Sequence, residues 1–436
     1  MTIFLCIILF AFHALPLDKY TQAAIIGVQG ITVTLFLLAE SLGGEFSPSS
    51  AWNGSLEVSF LSITAQLGLL SYCSAIIYLG ISNHEIGLLA LATLFCVLAL
   101  GGIATTIAQD FALVISQLEI QSYATYLMIA NKLGKTVNPY GYLSYFLISG
   151  FATAGLVMGW GICLLEGETI SSTKSLSRGL SSWILIPSFA IKLGAYPFHA
   201  WVPLVYNESG LLSVLVVAGL PQLAILLLIN GAVSITPLLA IVVPIASVVV
   251  GSVCIAAAVK PWGLIALSGI SQLGFTLLAL NLTSSGMVLF NFFYALTLVT
   301  LGGVIWAFAS SSHQLSYWRG IADTHITLGL LSSLLLLSLG GVPPIAGFYT
   351  KAELINHLGA QEGYYLSALL LISSLPSLIG YLRIALTILG VSWETPNWGN
   401  RSFFLFIHKE AVTMTGTIGL GLIGLSYGPP LLLLIN

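Results

Sequence analysis

Three ionisable side chains stand inside long apolar stretches. Glu119 lies in Val-Ile-Ser-Gln-Leu-Glu-Ile-Gln-Ser. Lys192 lies in Ser-Phe-Ala-Ile-Lys-Leu-Gly-Ala-Tyr-Pro-Phe-His, and Lys351 follows Gly-Gly-Val-Pro-Pro-Ile-Ala-Gly-Phe-Tyr-Thr. A charge near the centre of a membrane helix costs about 2.5–3.5 kcal/mol on insertion scales. Such a residue needs a partner, a wet cavity or a task. A lysine beside a carboxylate is suited to one task in particular, which is carrying a proton. How tightly it holds that proton depends on its desolvation and on how near the carboxylate lies. A changing distance between Glu119 and Lys192 would therefore load or unload it. His199 is a further relay candidate, seven residues after Lys192.

Each of these residues also has a plainer explanation. Glu119 and Lys192 could form a static buried pair tying two helices together. Lys351 has no nearby carboxylate in sequence except Glu353, which falls on a different helix face, and a lysine near a helix end can snorkel to the interface. His199 could be a neutral histidine hydrogen-bonded inside a bundle. Proline placement weighs toward function. Pro197 follows Lys192, and Pro343-Pro344 precede Lys351 among Gly340, Gly341 and Gly347. Helices broken at membrane depth are tolerated where the freed backbone is buried in protein or lines a cavity, and they mark transport sites in inverted-repeat folds.

The elements that would position these residues are legible in composition. Of 436 residues, 57% are hydrophobic and 6% are charged, against about 25% charged in soluble domains. The apolar runs are continuous rather than alternating, so the chain reads as an all-α integral membrane protein and not a barrel. At about 20 residues per span, about fourteen spans are expected: 2–17, 22–42, 58–81, 86–104, 108–131, 140–165, 181–206, 211–230, 235–258, 262–282, 286–311, 325–348, 364–390 and 410–434. Residues 1–17 read as a first helix, since they have no basic start and no small-residue cleavage site. The seventh and twelfth spans are the broken ones. They are five apart, which suits two inverted five-helix repeats. The organisation expected is a single membrane domain: three amino-terminal helices in 1–81, repeats in 82–232 and 233–390, and a loop and helix in 391–436.

Basic residues set the orientation. Lys19, Lys132, Lys135, Lys260, Arg319, Arg401 and Lys409 fall on one side, and only Lys174 and Arg178 on the side of the termini. The termini are therefore expected outside, away from the cytoplasm or matrix. The net charge of −3 is spread over short loops and gives no reason to expect nucleic acid. The five cysteines are scattered without CxxC spacing, and no two histidines share a span at ligand spacing, so neither an iron–sulfur site nor a bis-histidine haem is indicated. No Gly-rich nucleotide loop follows a strand. No redox cofactor and no metal is expected in this chain.

The segments Lys192 to Pro203, Leu337 to Lys351, Tyr317-Trp-Arg-Gly and Tyr381-Leu-Arg resemble NADH dehydrogenase subunit 2 of respiratory complex I, the subunit N type of the bacterial enzyme. The resemblance runs from about residue 80 to 390. It implies an antiporter-like fold of fourteen helices with two inverted five-helix repeats. It implies that Glu119 and Lys192 are the proton-coupling pair and that Lys351 serves a second half-channel. It places FMN, iron–sulfur clusters and quinone in other subunits, with subunit 4, small membrane subunits and lipids as neighbours. The sequence departs from the family at four places: Ser144 and Gln222 stand where lysines are usual, Leu204 where an aspartate is, and Gln272 where a histidine is. Gln222 holds no proton charge, so a hop from Lys192 to Lys351 needs water and polar side chains. The drift at basic positions suggests the mitochondrial inner membrane, with the bacterial plasma membrane as runner-up. A cation/proton antiporter subunit and a non-pumping structural subunit are the rival functions.

Overall fold

The computed structural model describes residues 49–51, 56–58, 111–130, 139–165, 180–229, 241–258, 260–282, parts of 290–302, 326–343, 345–360 and 363–390. The expected spans 2–17, 22–42, 86–104 and 410–434 lie outside the described residues, as does nearly all of 58–81. The total of fourteen is therefore beyond what the structure reports.

Within the described residues the fold is helical, with one exception. Strands β1 (Ser49–Ala51) and β2 (Leu56–Val58) pair antiparallel with Ser50 opposite Glu57. This corrects the expectation of a chain without strands. Three residues per strand are too few for a period-two pattern to show. The helices are α1 (Phe111–Ala130), α2 (Pro139–Leu165), α3 (Leu180–Leu193), α4 (Trp201–Glu208), α5 (Leu211–Ile229), α6 (Val243–Ala257), α7 (Pro261–Leu282), α8 (Ile326–Gly340), α9 (Ala346–Ala360) and α10 (Tyr364–Ile388). Tyr140–Leu165, Trp262–Leu280 and Tyr364–Ile388 are each long and apolar enough to cross a membrane.

The chain divides into two compact units, residues 1–247 with 276–292, and residues 248–275 with 293–436. In the first, α2 packs against α1, α3 and α4, and α5 packs against α1 and α3. The approach of α2 to α3 needs small residues: a Cβ on Gly159 would lie 2.6 Å from Leu185 Cγ. In the second unit, α10 packs against α8 and α9. Its sides are arranged for a membrane. Ser373, Ser377, Gly380, Tyr381 and Ala385 face inward, while Leu371, Ile372, Leu375 and Ile379 are exposed. Small and polar residues at the helix interface with leucine and isoleucine outside is the pattern that lipid selects, because lipid gives apolar side chains no reason to turn in.

The two expected helix breaks are present. The span 181–206 is interrupted between α3 and α4 by Gly194, a cis Tyr196–Pro197 peptide and a 3-10 turn at Phe198–Ala200. The span expected at 325–348 ends at Gly340, and Lys351 belongs to a separate helix, α9. That helix is a correction. From sequence Lys351 reads as part of the twelfth span, and the polar Lys351, Glu353, Asn356 and His357 leave no long apolar run to mark a helix of their own.

Candidate functional site

Both breaks are built by the same local device. After α3, the amide of Ala195 donates to the carbonyl of Ala190 at 2.9 Å and that of Gly194 to Ile191 at 3.1 Å. After α8, Val342 donates to Leu337 at 3.2 Å and Gly341 to Ser338 at 3.0 Å. This is the paired bonding of a Schellman helix end, which requires a left-handed residue at the turn. Gly194 has φ 73° and Gly341 has φ 83°, a region glycine enters without a Cβ penalty.

A helix end still leaves carbonyls without donors, and here the two sites differ. At the first break Trp201 Nε1 donates to the Ile191 carbonyl at 3.0 Å. Lys192 sits one residue before the end of α3, and its buried Nζ has no hydrogen-bond partner within the described chain. At the second break Lys351 does the capping. Its Nζ donates to the carbonyls of Leu339 at 3.0 Å and Gly340 at 3.2 Å, and lies 5.2 Å from the centre of the Phe275 ring. Gln272 Nε2 also donates to Leu339 O, at 3.3 Å. Lys351 is 7% exposed, so it does not snorkel outward. A cation on the carbonyl end of a helix is favourably placed against the backbone dipole.

Glu119 lies on α1, and its Oε1 is buried without a partner. Among the described residues it makes no ion pair with Lys192, which is what the static-pair alternative would require. Residues of α2 line the spaces around both groups. A groove of about 390 Å³ is lined by Glu119, Ser122, Tyr126, Tyr145, Ser149 and Thr153, among others. A cavity of about 20 Å³ around Lys192 is lined by Tyr145, Ser149, Trp201, Tyr206, Val217 and Gln222, among others. Tyr145 and Ser149, one turn apart on α2, belong to both walls. The Tyr145 hydroxyl is 2.6 Å from Thr125 Oγ1, and its ring lies 5.7 Å from that of Trp201. These hydroxyls and the indole were not singled out from sequence. Their one sequence signal is i, i+4 spacing on one helix face.

His199 falls in the 3-10 turn of the first break. Its ring stacks on Tyr196 at 5.5 Å, its Nδ1 is buried without a partner, and it is not in the wall of the Lys192 cavity. Of the four departures, Gln222 faces the Lys192 cavity and Gln272 helps to cap the second break. Ser144 donates to the carbonyl of Gly141 in its own helix at 2.9 Å, and Leu204 is 59% exposed.

Residues 108–379 match the family model for the transmembrane region of NADH:quinone oxidoreductase and Mrp antiporters. The NAD(P)H-quinone oxidoreductase subunit 2 of Crocosphaera subtropica is 32% identical over 370 residues, covering 77% of this chain and 69% of that protein. A chain in the structure of respiratory complex I from Thermus thermophilus superposes with a TM-score of 0.80 at 23% identity, over 99% of this chain and 98% of that one. A chain of the Mrp complex from a Dietzia species superposes with a TM-score of 0.78 at 15% identity, over 99% and 91%. At those identities the two structures speak for the fold.

Proposed function

The chain belongs to the NADH:quinone oxidoreductase/Mrp antiporter membrane family, and from that premise we propose that it is an antiporter-like subunit of the membrane arm of a proton-pumping NADH:quinone oxidoreductase. One observation carries the proton role: a lysine buried at a helix break, with no hydrogen-bond partner for its ammonium group among the described residues. An ammonium group so placed can lose and regain its proton without breaking a hydrogen bond of the described chain. Lys192 is then the site of exchange, Glu119 its modulator, and Lys351 the residue on the far half of the route. His199 is a secondary candidate, beside the break rather than in the cavity.

On this reading the translocase activity belongs to the assembled complex. FMN, iron–sulfur clusters and quinone sit in other subunits, and this chain performs no redox step. Its neighbours are a subunit-4-type protein, small membrane subunits and lipid. The membrane is an energy-coupling one. The cyanobacterial relative supports a bacterial membrane, against the mitochondrial inner membrane suggested by drift at basic positions.

A free-standing cation/proton antiporter component is the second reading, favoured by the likeness to the Mrp complex. Affinity purification in mild detergent separates the two. Recovery with hydrophilic redox subunits and NADH oxidase activity supports the proposal. Recovery without them, with Na⁺/H⁺ exchange in liposomes, rejects it.

A further inference from the structure

Eight buried polar atoms in the first unit have no hydrogen-bond partner in the described chain, on Glu119, Gln121, Ser149, Lys192, His199, Asn207 and Asn291, and three of them are Glu119 Oε1, Ser149 Oγ and Lys192 Nζ. Buried polar atoms in proteins are nearly always satisfied, by protein or by ordered water. These three are not scattered. Each lines the Glu119 groove or the Lys192 cavity, and Ser149 lines both. Ser149 is 8% exposed, and its hydroxyl serves no helix carbonyl, whereas most serines of this fold bond back to their own helix, as Ser122 does to Leu118 at 2.7 Å. The Lys192 cavity, at about 20 Å³, has room for one water, since a water needs about 10–15 Å³ on this measure and two to four polar partners. Val217 is in the same wall, and Pro221 one turn later has no N–H to offer its carbonyl.

Resting on the function proposed above, we propose that Ser149 is a positioning residue for proton transfer: it and Lys192 hold a single ordered water that connects the lysine to the Glu119 groove. Ser149 is the one unpartnered hydroxyl common to both spaces. The Tyr145 hydroxyl, a turn away, is engaged by Thr125. The water accepts a proton from the Lys192 ammonium as it gives one of its own to Ser149 Oγ, and Ser149 gives its hydroxyl proton to water in the Glu119 groove. Lys192 is left neutral, the proton ends in the groove, and neither the water nor Ser149 keeps a charge.

The test uses the assembled enzyme in three forms: wild type, Ser149→Ala and Lys192→Met. Structures at a resolution that shows water are compared with protons translocated per NADH in proteoliposomes. Wild type should show a water within hydrogen-bonding reach of both Lys192 Nζ and Ser149 Oγ. Ser149→Ala should assemble normally, because the hydroxyl supports nothing else, and should lack that water. Proton passage through this subunit should then slow roughly tenfold, the scale of one lost hydrogen bond to a charged group, and stoichiometry should move toward the Lys192→Met value. A dry wild-type cavity overturns the inference even if the alanine variant fails to assemble. Full stoichiometry in Ser149→Ala beside an impaired Lys192→Met overturns it and leaves the proposed function standing. Full stoichiometry in both overturns the two together.

Discussion

The two helix breaks share their backbone and differ in what finishes them. Gly194 and Gly341 occupy equivalent places in the same helix-ending turn. The first break takes its extra donor from a neutral indole, Trp201, and leaves Lys192 without a hydrogen bond among the described residues. The second takes it from Lys351 itself. A lysine needed to hold a helix end is restrained in both position and charge. One relieved of that duty is free to change charge without opening the backbone. The lesson is that two lysines at matching breaks need not have matching roles: Lys192 is placed for exchange, and Lys351 combines its place on the route with a structural bond.

Substitutions can sharpen or break this contrast. The largest effect is expected at the second break. Lys351→Met strips the charged donor from two carbonyls in a buried region, a loss of about 2–3 kcal/mol, and should lower the complex's thermal midpoint and the recovery of this subunit. Lys192→Met removes an unbonded ammonium and should leave both unchanged while pumping falls. Equal destabilisation by the two would erase the distinction. Next come Gly194→Ala and Gly341→Ala, each forcing a left-handed alanine at a cost of about 1–2 kcal/mol. Gly194→Ala should be worse, because its Cβ would collide with Val202, whereas at Gly341 it would meet Lys351 Cδ at 3.0 Å. Differential thermal stability of the purified complexes checks the order. The smallest effect is expected from Trp201→Phe, which keeps an aromatic ring beside Tyr145 but loses the bond to Ile191, about 1 kcal/mol. If it costs more than Lys351→Met, the indole and not the ammonium is the principal cap.

Much of this was legible in the chain. Helices α1, α2, α5, α7 and α10 fall on expected spans, because a membrane span is set by length and apolarity alone. The break after Lys192 was legible because glycine and proline are local signals. Helix α9 was not. Its Lys351, Glu353 and His357 deny it the apolar run that marks a span, so Lys351 reads as part of the twelfth, and the bond that anchors it to α8 joins residues twelve apart. Nor was the separation of Glu119 from Lys192. Opposite charges on two spans suggest contact, but only packing shows that α2, with Tyr145 and Ser149, stands between them. The capping role of Trp201 was hidden for the same reason, since an aromatic beside a break reads equally well as core.

The central claim, that Lys192 exchanges a proton rather than supplying a fixed charge, is tested most directly by Lys192→Arg in the assembled enzyme, reading protons translocated per NADH. Arginine keeps the positive charge and cannot release it near neutral pH. The account predicts that Lys192→Arg assembles, oxidises NADH and loses this subunit's share of the protons, as Lys192→Met does. Wild-type stoichiometry in the arginine enzyme would contradict it, by showing that a permanent charge at this helix break is enough.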